Sequence, residues 1–89
     1  MIAKAIGLVS SDCETCDKLK ESLVREFKKY EIDLEFVVFD TSVDFSSAME
    51  TSLKLGLNDI PSFLVGGVVF RSFFDARQIN DAVKKIESQ

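Results

Sequence analysis

The 89 residues fit a single domain spanning 1–89, and 46% hydrophobic with 29% charged residues is the composition of a soluble globular chain. Eleven Lys and Arg against fifteen Asp and Glu give a formal net charge of -4, which argues against nucleic acid or an anionic membrane as the partner. The chain has no His, so imidazole-assisted nucleophiles are excluded and any metal site would need thiolates and carboxylates.

Ile2 to Val9 is short, apolar and bounded by Ser10-Ser11-Asp12, which fits a buried strand. The apolar run is interrupted by Gly7 and is too short for a signal-peptide core or a membrane span, so a cytoplasmic location is expected. A helix is predicted from about Cys13 to Tyr30, because Cys16, Leu19, Leu23, Phe27 and Tyr30 recur at steps of three and four while charged residues fall elsewhere. Leu34 to Phe39, rich in β-branched and aromatic residues, reads as a second strand, parallel to the first through a right-handed crossover.

Ser47 and Glu50 offer a capping box for a second helix with Ala48, Met49, Ser52 and Leu53 on one face and Gly56 as its left-handed stop. Ser62 to Val65 and Val68 to Phe73 are two extended runs joined by Gly66-Gly67, a two-residue hairpin signal. A third helix starts at Asp75, with Gln78 at the reciprocal capping position and Ile79, Ala82, Val83 and Ile86 on one face. The expected fold is α/β: a four-stranded mixed sheet, half parallel βαβ and half antiparallel ββα, with three helices covering both faces. Phe36, Val37, Val38, Phe39, Phe63 and Phe70 are expected in its core, and one of Phe73 and Phe74 should pack under the last helix.

The chemistry concentrates at Cys13-Glu14-Thr15-Cys16, where the first strand gives way to the first helix. Residues three apart on a helix are neighbours, so the two sulfurs can bond with little backbone change. Cys16 is centred on the apolar stripe and Cys13 lies at its edge in the first turn, which makes Cys13 the exposed member. Unpaired N–H groups and the helix dipole favour a thiolate there, whereas Asp12, Glu14 and Asp17 oppose it, against Lys18 and Lys20 as the nearest cations. Cys13 is therefore expected to be the nucleophile, with a pKa near or modestly below neutrality, and Cys16 the resolving thiol. A lone CxxC also fits half of a zinc or iron–sulfur site shared between two chains. The sole proline, in Asn58-Asp59-Ile60-Pro61-Ser62, can leave main chain open beside a strand, with Ile60 offering its backbone to an extended substrate.

Over nearly its whole length the sequence resembles the thioredoxin superfamily, in particular the small glutaredoxin-like redoxins. The likeness rests on the strand before Cys13-Glu14-Thr15-Cys16, on Gly56-Leu57-Asn58-Asp59-Ile60-Pro61 leading into Ser62-Phe63-Leu64-Val65-Gly66-Gly67, and on the closing helix. The resemblance implies a dithiol–disulfide oxidoreductase that reduces protein disulfides with no bound cofactor. Cys13 would be the nucleophile, Cys16 the resolving thiol, Pro61 a cis proline against the disulfide, and Ile60 the main-chain contact. A reduction potential between about -270 and -200 mV would fit. Glutathione would be a candidate co-substrate, with Asp75 the remaining contact for its amino group. The Pro-Tyr between the cysteines, the upstream basic residue and the Gly-Gly-Asp turn that serve glutathione are replaced by Glu14-Thr15, Ser10-Ser11-Asp12 and Phe73-Phe74-Asp75. Ser72-Phe73-Phe74 loosely resembles the carboxyl-terminal segment of redoxins that take electrons from thioredoxin reductase and donate to ribonucleotide reductase. The expected partners are thus protein disulfides, ribonucleotide reductase among them, with thioredoxin reductase or glutathione as electron source, and the expected state is a monomer. The alternative is an iron–sulfur-binding or redox-dead adaptor on the same scaffold.

Overall fold

In the computed structural model, which describes residues 1–89, apolar runs and turn signals resolve into seven elements. They are β1 (Ile2–Val9), α1 (Glu14–Lys28), β2 (Asp33–Asp40), α2 (Phe45–Leu55), β3 (Ser62–Val65), β4 (Val68–Phe70) and α3 (Ala76–Glu87). The strands form one sheet in the order β2-β1-β3-β4. β1 and β2 run parallel, with Ile2 opposite Asp33 and Val9 opposite Asp40. β3 is antiparallel to both β1 and β4. This is the expected thioredoxin-like arrangement of four strands and three helices.

Strand side chains alternate between the two faces, and each face has its own apolar cluster. Ala5, Phe63, Val65 and Phe70 meet the stripes of α1 (Leu19, Leu23, Phe27) and α3 (Ile79, Ala82, Val83, Ile86) in the larger cluster. Leu8, Ala48 and Leu57, flanked by Phe39, Leu55, Leu64 and Val69, form the smaller one under α2. Edge-to-face aromatic pairs run through the larger core: Phe27 with Phe70 at 5.9 Å between centroids, and Phe70 with Phe74 at 5.5 Å. Phe74 is therefore the ring that packs inward, and Phe73 is 94% exposed.

Local signals fix the ends. Gly66 and Gly67 have φ of 55° and 75°, both positive as a two-residue primed hairpin turn requires. At Gly66 a side chain would also run into the backbone of Ala82 in α3. Gly56 caps α2 in the left-handed region, and Asp75 and Gln78 form the reciprocal capping box of α3.

Four local expectations are corrected. α1 ends at Lys28, and Tyr30 lies in the following turn, exposed on its ring while its hydroxyl donates to Asn80 Oδ1 at 2.8 Å. α2 is capped by Asp44, whose Oδ1 accepts from Ser47 N at 3.1 Å, and Glu50 pairs with Lys54 at 2.9 Å instead of closing a box with Ser47. Ala48 and Ser52 face inward, and Met49 and Leu53 are exposed, Leu53 at 83%. β4 stops at Phe70: Arg71 turns to Asp59, and the chain leaves the sheet so that Phe74 can reach Phe70. Val37 and Val38 are exposed and Phe36 and Phe39 half-buried, because β2 is an edge strand with no neighbour on its outer side.

Candidate redox site

β1 delivers the chain to the carboxyl end of the sheet, and Ser10 to Asp12 turn it into α1. Asp12 occupies the left-handed region at φ 53°, a conformation Asp tolerates better than most residues. Cys13 then takes the N-cap position with extended backbone, its sulfur accepting from Cys16 N at 3.1 Å as a cap would. Cys13 and Cys16 are joined in a disulfide across a Cα–Cα distance of 5.2 Å. Cys13 is half-buried and Cys16 is 5% exposed, the order set by their places on the apolar stripe. Thr15 Oγ1 lies 3.4 Å from Cys13 Sγ. Once the disulfide is opened, that hydroxyl and the Cys16 N–H are the two donors nearest a Cys13 thiolate.

The segment before Cys13 is laced to the end of β2. Thr41 N and Thr41 Oγ1 both donate to the Val9 carbonyl, at 2.9 and 3.3 Å. Ser11 N donates to Ser42 Oγ at 3.1 Å and Ser11 Oγ to Asp40 Oδ2 at 3.4 Å, while Ser42 N holds Asp40 Oδ1 at 2.8 Å. These bonds orient the Asp40 carboxylate without neutralising it. Next in the chain, Asp44 has its carboxyl held below the usual carboxylate range by the backbone N–H and hydroxyl of Ser47.

A cleft of about 640 Å³ opens beside the disulfide. Cys13, Cys16, Val9, Val38 and Phe63 contribute to its wall, and its charged groups are Asp12, Glu14, Asp17, Asp40 and Lys20. At the α1 start, Thr15, Lys18 and Leu19 also meet Ser72 and Phe73 in a smaller depression of about 200 Å³. The cysteine pair thus borders an acidic cleft, and Thr15 between the two cysteines shares a depression with the exposed Phe73.

The Ile60–Pro61 peptide is cis. The pairing of Leu8 with Ser62 puts Pro61 at the same end of the sheet as Cys13. Pro61 is buried, Ile60 is 46% exposed, and Ile60 enters no main-chain hydrogen bond outside the regular elements. The loop carrying them is held by Ser62 Oγ donating to the Asp59 carbonyl at 2.6 Å, by Ser52 Oγ donating to that of Leu57, and by the Arg71–Asp59 ion pair. Asp75 is the N-cap of α3: its Oδ1 accepts from Gln78 N at 3.1 Å.

Reasoning from the sequence did not single out Asp40, Val38, Phe63 or Thr15 for the site. Asp40 and Val38 were legible in principle, since parallel strands put their carboxyl ends together and the site stands beyond that end. Phe63 and Thr15 carry no such signal. No helix of the protein is long and apolar enough to cross a membrane. Comparison with family models, curated proteins and solved structures finds no match for the chain, so its assignment rests on the CxxC pair and the α/β fold that presents it.

Proposed function

We propose that the protein is a dithiol–disulfide oxidoreductase that reduces disulfides in other proteins. The observation that carries the reading is the Cys13–Cys16 disulfide at the start of α1, on the wall of a cleft, with Cys13 half-buried and Cys16 almost fully buried. In the reduced protein the Cys13 thiolate attacks one sulfur of a substrate disulfide. A Cys13–substrate bond forms, and the other substrate sulfur leaves with the electron pair and takes a proton. Cys16 gives up its proton and attacks Cys13 Sγ, which restores the Cys13–Cys16 disulfide and frees the second substrate thiol. Two electrons have then passed from the cysteine pair to the substrate.

Ile60 would hold the substrate by its free main chain, with Pro61 setting that edge. Asp75, whose Oδ2 the cap leaves uncommitted, would be available to an amino group if glutathione is a reductant. Glutathione or a flavoprotein of the thioredoxin reductase type would return the electrons, and ribonucleotide reductase is one candidate acceptor.

Insulin reduction, coupled in parallel to glutathione with its reductase and to thioredoxin reductase, tests the reading. One system at least should support turnover. Cys13→Ser should abolish it, and Cys16→Ser should trap a mixed disulfide visible by mass. Failure of the wild-type protein in both systems, together with failure of its pre-reduced form to reduce insulin stoichiometrically, would refute the assignment.

A further inference from the structure

We infer that the cleft selects polypeptide disulfides flanked by Lys or Arg and disfavours acidic ones, glutathione disulfide included; this rests on the redox reading of Cys13 and Cys16. Four carboxylates, Asp12, Glu14, Asp17 and Asp40, line the space beside the disulfide, against the single ammonium of Lys20. The excess of acid over base in the whole chain is four, and about half of it is gathered at this one place once Lys18, paired with Glu14, is counted with Lys20.

Lys18 offsets Glu14 at 3.1 Å, but none of the protein's ion pairs includes Asp12, Asp17 or Asp40. The Lys20 ammonium lies over the Phe36 ring, 4.9 Å from its centroid. Asp40 is fixed by the Ser11 and Ser42 bonds, so its charge does not swing away. An acidic cluster alone would define no site, but this one frames a reactive sulfur. A substrate sulfur must come within bonding distance of Cys13, and residues beside it then lie within a Debye length of these carboxylates, about 8 Å at physiological salt. Concave walls of one sign strengthen such fields. Each half of glutathione disulfide brings two carboxylates and one amino group, the wrong balance for this cleft. A basic polypeptide brings the right one, and Phe73 stands exposed beside Thr15 for its apolar side chains.

The test uses the full protein, reduced with dithiothreitol and freed of it, in single turnover with cyclic peptide disulfides flanked by Lys, by Gln or by Glu, and with glutathione disulfide. Each rate is divided by that for dithiothreitol on the same compound, which removes intrinsic reactivity. The expected order is Lys, Gln, Glu, with about tenfold between the extremes at low salt. The spread should shrink to about twofold at 1 M salt, where the Debye length is about 3 Å. Glutathione disulfide should fall below the Gln peptide. Asp12→Asn combined with Asp17→Asn should narrow the low-salt spread; Asn tolerates the left-handed backbone at position 12. Equal or reversed rates, with the Gln peptide still reduced, overturn the charge selection and leave the redox reading standing. If the Gln peptide too stays oxidised, the redox reading itself fails.

Discussion

Twelve buried residues form the core between the sheet and the pair α1 and α3, whereas Leu8, Ala48 and Leu57 form the one beneath α2. The cysteine pair is anchored on the heavily packed side, through α1. The loop bearing Ile60 and Pro61 belongs to the lightly packed side and is held mainly by hydrogen bonds of Ser52 and Ser62 and one ion pair. Local opening draws on regions with few buried apolar contacts. The two sides are therefore expected to differ in rigidity, with the cysteine pair on the firmer side and the 56–61 loop on the softer one.

Truncating each core in turn tests this contrast. Phe27→Ala, in the larger core, should cost about 3–5 kcal/mol in denaturant unfolding, with Cys13 alkylation in the reduced protein following global unfolding. Leu57→Ala should cost about 2–3 kcal/mol, at the lower end for a buried leucine because fewer neighbours surround it. In hydrogen exchange it should deprotect α2 and the 56–61 loop before α1. Equal loss of protection across both layers would remove the distinction.

The helix caps sharpen it at smaller scale. Asp75→Ala, which removes the α3 capping box, should cost about 1 kcal/mol in the same unfolding experiment. Asp44 caps α2 with a depressed carboxyl pKa. A depressed folded-state value means that its contribution is complete above the ordinary carboxylate pKa and is lost as pH falls through the folded one. Asp44→Ala should therefore lower stability at neutral pH and converge on wild type in acid, the gap closing below about pH 4. The smallest effect is expected at the solvent side of α2, where Leu53→Ser should change stability by less than about 0.5 kcal/mol.

What the sequence made legible follows the same division between local and distant causes. Gly66-Gly67, Gly56 and the Asp75 to Gln78 box were readable because each acts within a few residues of itself. Cys13 and Cys16 were readable because one helical stripe orders their exposure. Ser47 and Glu50 misled because their spacing imitates a cap, while Asp44, three residues earlier, supplies the real one. Val37 and Val38 misled because alternation and β-propensity report that a strand exists and are silent on whether it stands at the edge. Asp40 came to the cysteines through parallel register across thirty intervening residues, which only the assembled sheet reveals.

Gly7 sits on β1 directly opposite Phe63, and a methyl group added there would strike the Phe63 ring. Phe63 is fully buried in the larger core and borders the cleft beside the disulfide. Positions 7 and 63 are thus a mould and its cast: enlarging the first requires trimming the second. A lineage drifting at one of these sites would be expected to drift at both.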